Sequence, residues 1–386
     1  MSTIKRVFIL LTLVFLALSC RKSEETSRVK DLSAVSWPVF RGDARLSGTA
    51  SDSLPDQITL LWTFQTGDAV VSTPVIGSGR VAISSTDGKV YAIDLGDGVK
   101  IWEFDSGEDI EASPLLLNHT LYVGSLSGEF FALHAKTGQV RWKYKIDNSI
   151  YGSANWTLMP GGQDTLIFVG SYDAQMYCFE AGTGKLKWTY ETNNYINGAP
   201  ATDGKHVVFG GCDELLHIVS AADGSKTGDV WVKSYIAGSV AFVDERAYLG
   251  HYDNKLVCVD VASEKIVWEF EDDENRGAFF ASPAVGKDHV VIGSRDRYVY
   301  CVDRNTGTKQ WSFGTRNEID SSPVIAGDKV VVGSTDGRLY VLDLESGQAL
   351  WSYEIGAVII GCPAVAGGMI VIGAEDGRVY AFGEKQ

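Results

Sequence analysis

Residues 85–102 read STDGKVYAIDLGDGVKIW, and residues 334–351 read STDGRLYVLDLESGQALW. Each stretch opens on a tight Asp-Gly turn and continues as an alternating apolar and polar run. It turns again at Gly98 or Gly347 and runs on to Trp102 or Trp351. Period-two alternation on both sides of a turn rich in Gly and Asp is the signature of consecutive antiparallel strands. Shorter echoes carry Tyr177, Gly184 and Trp188, and Tyr300, Gly307 and Trp311. Working outward, small residue plus Pro marks further strand starts at Pro74, Pro114, Pro200, Pro283, Pro323 and Pro363. Pro is tolerated at a strand's first residue, where no ladder donor is lost. Gly124, Gly170, Gly293, Gly333 and Gly373 then end second strands.

The unit recurs about every 40 residues. Trp62, Trp102, Trp142, Trp188, Trp231, Trp268, Trp311 and Trp351 are spaced 40, 40, 46, 43, 37, 43 and 40 apart. That period is the length of a four-stranded propeller blade. The expected fold is therefore all-β: an eight-bladed β-propeller with four antiparallel strands per blade. After Trp351 only three strands remain (361–366, 369–373, 378–382), while one orphan strand, 58–64, precedes the first full blade. Pairing the orphan with the last three closes the ring and leaves only short outer edges.

Composition narrows the function classes. The 386 residues carry a net charge of −15, with no basic run beyond the extreme N-terminus, which argues against a nucleic-acid partner. Lys5 and Arg6 followed by the apolar run 7–18 read as a signal peptide, too short to span a bilayer. It ends in Ala17-Leu18-Ser19-Cys20, which resembles a bacterial lipoprotein box and implies lipidation of Cys20. The expected organisation is a signal peptide at 1–19, a lipidated Cys and flexible tether at 20–36, and one propeller at 37–386.

The pattern Ala92-x-Asp94-x-x-Asp97-Gly98-x-x-x-Trp102 resembles the tryptophan-docking motif of quinoprotein propellers, with variants at 132–142, 178–188, 301–311 and 341–351. The resemblance implies that each Trp of the ladder stacks between neighbouring blades against a Gly-containing turn. The segment Trp37-Pro38-Val39-Phe40-Arg41-Gly42 is similar to the opening of many bacterial quinoprotein-like repeat proteins. Quinoprotein dehydrogenases also carry a vicinal Cys pair, a calcium site and long insertions; this chain has no Cys-Cys and no room for such insertions. With its lipobox, charged tether and bare ring it most resembles the BamB-like lipoproteins. The resemblance implies a non-catalytic, monomeric scaffold in the bacterial envelope, anchored to the outer membrane and working with other envelope proteins of an assembly complex. Two alternatives remain beside it: a small-ligand or polysaccharide binder at the channel mouth, and an oxidoreductase using pyrroloquinoline quinone (PQQ) and calcium.

Candidate site residues come from what breaks the repeat. Three positions before each strand-initial Pro, or its equivalent, the chain reads Val71, Glu111, Tyr151, Asn197, Ala237, Phe280, Asp320 and Ile360. A structural position would repeat one residue type; this one varies, and Glu111, Tyr151, Asn197, Phe280 and Asp320 are the candidate binding rim. The long loop before Phe280 holds Glu271, Asp272, Asp273, Glu274, Arg276 and Phe279 as a candidate partner-docking surface. The Asp repeated in the second turn of each unit (Asp87, Asp173, Asp336 and others) reads as turn chemistry rather than calcium ligation. Cys178, Cys258, Cys301 and Cys362 fill small buried slots, and the six His lack ligand spacing, so no metal site is expected.

Overall fold

The computed structural model describes residues 32–159 and 165–385, which form 32 strands and, among these residues, no helix. The expected signal peptide, Cys20 and most of the expected tether lie outside them, as do residues 160–164. The strands make eight four-stranded antiparallel sheets; seven are sequential meanders, named blades 1 to 7 in chain order from residue 75. Blade 8 is composite: Ala364–Ala366, Met369–Gly373 and Arg378–Gly383 are completed by Thr59–Gln65, whose Thr63 faces Tyr380. The expected ring closure is thus observed. Packed chain begins before the expected boundary at residue 37, because Leu32 and Val35 lie against the core of the closing blade.

Two sets of inter-blade contacts hold the ring. On the outside, Gly98, Gly138, Gly184, Gly224, Gly307 and Gly347 adopt positive φ, and a Cβ there would collide with Trp62, Trp102, Trp142, Trp188, Trp268 and Trp311 of the preceding blade. Glycine is needed twice over, for the backbone and for the approach of the indole. Each of these six indoles donates Nε1–H to a carbonyl of the turn it covers, from Leu344 at 2.8 Å to Ala221 at 3.2 Å. A buried indole that satisfies its donor in this way adds about 1 kcal/mol to its apolar burial.

The ladder differs from expectation in two places. Trp351 has no such turn ahead of it, because blade 8 is closed by a distant strand; it packs on Phe382 and Tyr353 instead. Trp231 is not a staple at all. In blade 4 the residue facing Ile218, where other blades put the Trp, is Gly228. Trp231, three residues later, is 60% exposed and donates to Glu214. The matching glycine of blade 5 is also replaced, by Glu264 at φ 55, whose side chain lies where a Cβ on Gly228 would sit. Trp-on-Gly has become Glu-on-Gly at this seam.

Along the axis, residues before a strand-initial Pro or its equivalent form a girdle of backbone N–H bonds to hydroxyls and one thiol. Ala199, Ser239 and Ser282 N–H donate to Ser239, Ser282 and Ser322 Oγ at 2.8–2.9 Å. Ser322 N–H donates to Cys362 Sγ, Cys362 N–H to Thr73 Oγ1, and Thr73 N–H to Ser113 Oγ. Cys362 therefore serves as one acceptor of this girdle.

Candidate functional site

The segment 37–50 runs round the axis and closes one end of the ring. It exchanges backbone hydrogen bonds with Ile76, Leu116, Thr202, Phe242, Val285 and Ile325, each two residues past a strand-initial Pro or its equivalent, while Asn155 Nδ2 reaches Ala44 O. Arg41 of this segment is fully buried and donates to Pro283 O; burial lowers its pKa to about 10 against the opposing pull of Cys362 and Asp43. A cleft of about 530 Å³ lies on this closed side, between the segment and residues such as Lys287 and Arg304. The Arg304 guanidinium is spent on Tyr248, Gly286 and Asp244.

The opposite end is the mouth. It is built identically in all eight blades: the second turn of each blade donates an N–H to the loop entering that blade, from Thr86 to Ala69 round to Glu375 to Val358, at 2.9–3.1 Å. The residue four before the Pro is buried in every blade (Val70, Ile110, Ile150, Ile196, Ile236, Phe279, Ile319, Ile359). The next residue, the candidate rim, is half-buried in all eight. A fixed anchor thus presents a free neighbour, as the sequence pattern suggested.

Sequence reasoning found one variable position per blade; the structure shows three. The second-turn residues (Thr86, Leu126, Tyr172, Cys212, Tyr252, Arg295, Thr335, Glu375) and the loop acceptors (Ala69, Asp109, Ser149, Tyr195, Tyr235, Ala278, Glu318, Val358) share the mouth with the rim. At these positions the aromatics fall only in blades 3 to 6. Tyr151 packs on Tyr172 at 4.4 Å between centroids, and Tyr172 stacks on Tyr195 at 4.8 Å and 7°. Tyr235 meets Tyr252 edge-on, and Tyr252 packs on Phe280 at 4.6 Å. Tyr195, Tyr235 and Tyr252 are 45–48% exposed. The second-turn positions carry a signal of their own in the sequence, since their eight residues vary as fully as the rim.

Carboxylates stand at both ends of this arc. At one end Arg295 lies over Phe280, 3.4 Å from the ring centroid, and grips Asp320 with Nε and Nη2 at 2.8 Å each. The Asp320 hydrogen bond raises the Arg295 pKa. At the other end Glu111 has its pKa raised by burial and then by Asp109. Tyr172 is pushed up to about 12 by burial first, then by Tyr151, Cys212, Glu111 and Tyr252. Asn197 donates to Cys212 Sγ across the middle of the arc.

The candidate partner loop divides. Asp272 is buried, accepting Glu274 and Asn275 N–H and pairing with Lys309 at 2.6 Å. Burial opposes its ionisation, but Lys309 and the two amides outweigh it and hold the carboxyl below its usual range. Phe279 is fully buried in the anchor position and packs on Tyr300. Neither can present a docking surface, because each builds the loop. Glu271, Asp273, Glu274 and Arg276 are exposed, with Arg276 reaching Glu271 at 3.6 Å.

The turn aspartates are occupied by turn chemistry. Asp87, Asp173, Asp296 and Asp336 accept an N–H two residues on through one oxygen and the hydroxyl of Tyr91, Tyr177, Tyr300 or Tyr340 through the other. Among the described residues no three His, Cys, Asp or Glu side chains converge as a metal cluster. Cys178, Cys212, Cys258, Cys301 and Cys362 are free thiols.

Fold and site together define an eight-bladed propeller of the tryptophan-docking type, closed at one end and with an aromatic, acid-flanked mouth at the other. The chain belongs to the family of the outer membrane protein assembly factor BamB, whose sequence profile matches residues 50–159, 149–234, 212–358 and 295–386. No curated protein sequence matches it. Among solved structures it is similar to BamB from Moraxella catarrhalis, at 20% identity and a TM-score of 0.71, covering 86% of this chain and 98% of that one. It is also similar to a europium-containing methanol dehydrogenase, at 13% identity and a TM-score of 0.75 over 91% and 98%. A third likeness is to the computationally designed protein Ika8, at 17% identity and a TM-score of 0.73 over 84% and 99%. An assembly factor, an enzyme and a designed protein share this ring, so likeness at these identities speaks for fold alone.

Proposed function

We propose that the protein is a non-catalytic scaffold of the bacterial envelope, lipid-anchored through Cys20 at the outer membrane, that docks a partner protein of an assembly complex on the aromatic half of its mouth. The observation that carries this reading is the confinement of Tyr151, Tyr172, Tyr195, Tyr235, Tyr252 and Phe280 to four adjacent blades of an otherwise regular ring. Half-exposed tyrosines are pre-stiffened, amphipathic contact area, and aromatic side chains dominate binding energy at protein interfaces. Family membership agrees with it.

The oxidoreductase reading meets residues that do not fit its cofactor. PQQ carries three carboxylates, whereas the mouth positions offer five carboxylates (Asp109, Glu111, Glu318, Asp320, Glu375) and one cation, Arg295, already held by Asp320. Calcium would need several carboxylates converging on one point, and among the described residues no three His, Cys, Asp or Glu side chains do so. The test is affinity capture from solubilised outer membrane after crosslinking. A partner held by the wild type is expected to be lost with Tyr195→Ala, Tyr235→Ala and Tyr252→Ala combined. Undiminished capture by that variant would refute the docking surface.

A further inference from the structure

The two ends of the aromatic arc hold a rim aromatic and a rim carboxylate on adjacent blades, in opposite order round the ring, and differ in the cation. In blade 6 the second-turn position holds Arg295, which stacks on the rim aromatic Phe280 of its own blade. The same guanidinium pairs in fork geometry with the rim carboxylate of the next blade, Asp320. An aromatic face below and a carboxylate in the guanidinium plane satisfy both the π-face and the donors of the cation. This is a complete guanidinium seat, filled by the chain itself.

At the opposite end, adjacent blades again supply a rim carboxylate, Glu111 of blade 2, and a rim aromatic, Tyr151 of blade 3, which packs against Tyr172. The second-turn residue sharing a blade with Tyr151 is Tyr172 and the one sharing a blade with Glu111 is Leu126, so neither supplies a cation. No cation reaches Glu111 among the described residues: no ion pair or hydrogen bond engages its carboxylate. Asp109 lies close enough to repel it, and Tyr172 close enough to feel its charge. A half-buried carboxylate beside a second carboxylate and unpaired with any cation is destabilised at neutral pH, and a cation from outside removes that cost.

We infer that Glu111, Tyr151 and Tyr172 form a guanidinium seat for an arginine side chain of the partner protein. The inference rests on the docking reading above and adds the chemistry of the partner's contact. Three observations select arginine: the excess of carboxylates over cations at the mouth, the stacked tyrosine faces, and the filled seat around Arg295. Lysine is a point charge that fits a flat aromatic face and a fork less well.

The test uses the full-length protein and a capped tri-arginine peptide, with binding followed by isothermal titration at low salt. The wild type is expected to bind the peptide. Glu111→Gln and Tyr172→Ala are each expected to weaken binding at least tenfold, with Thr335→Ala, in the non-aromatic half, as the unchanged control. Capped tri-lysine is expected to bind more weakly than tri-arginine. Equal affinity of Glu111→Gln and wild type, equal affinity for the two peptides, or no binding by the wild type would each overturn the seat. Both variants keep the buried anchor Ile110 and Ile150, and matching circular dichroism and Tm confirm that a loss of binding is local. The docking reading fails separately, if the triple tyrosine variant captures its envelope partner as the wild type does.

Discussion

The circumference and the mouth of this ring follow opposite rules. Round the outside, six indoles meet six glycines in the same geometry, and of the two remaining seams the one between blades 4 and 5 departs on both sides at once, with Gly228 and Glu264 in place of Trp and Gly. Round the mouth, eight identical backbone hydrogen bonds carry eight unrelated sets of side chains. Uniformity marks what holds blades together, whereas variation on a uniform scaffold marks where the molecule meets something else. Each rule can be broken by mutation, and the consequences should separate into stability and binding.

The largest effect is expected from removing the strand Thr59–Gln65, which closes blade 8 and carries Trp62. The ring then loses a whole strand at its only covalent gap, and the cooperative thermal transition should collapse; a near-normal Tm would contradict the closure. Next comes Trp311→Ala, which empties a buried staple and should cost about 3–5 kcal/mol in chemical denaturation. Trp231→Ala, outside the girdle, should stay within about 0.5 kcal/mol. Equal losses in the two would show that the ladder is not divided as described. In the other direction, Gly228→Trp combined with Glu264→Gly should install the missing staple and raise stability by about 0.5–2 kcal/mol.

The smallest effect lies at the mouth and has a definite sign. Glu111 has a raised folded-state pKa, so its favourable contribution is present below its unfolded pKa and is lost as pH rises through the folded one. Glu111→Gln should therefore raise Tm modestly at pH 7 and lose that advantage at pH 3. Binding of a cation should run the opposite way, weakening as pH falls and Glu111 protonates. The groups whose charge bears on it are Asp109 and, from the second turn of the next blade, Tyr172, which titrates far above this window. A Tm that falls at pH 7 in Glu111→Gln would contradict an uncompensated carboxylate.

Most of the fold was legible because turn chemistry and strand alternation repeat at fixed spacing. The same spacing also held the error in the ladder. Intervals of 43 and 37 flank Trp231, whereas Gly228 lies 40 residues from both Trp188 and Trp268. The even register, not the tryptophan, marks the staple position in blade 4. The rim positions were legible as variation against the fixed Pro, but their partners were not, because Tyr172, Tyr252 and Arg295 reach the mouth from turns some 15 to 21 residues further along. Asp272 and Phe279 misled for another reason. An acidic run and a Phe pair look exposed in sequence, while the loop folds one acid onto Lys309 and one ring into the anchor slot.

The central claim is that partner contact is confined to the aromatic half of the mouth. Photo-crosslinking residues placed one at a time at Tyr195, Tyr252, Thr86 and Thr335, in cells, test it most directly. Discrete crosslinked products from Tyr195 and Tyr252, with none from Thr86 or Thr335, are the predicted result. Equal crosslinking from both halves, or products from Thr86 and Thr335 alone, would contradict it.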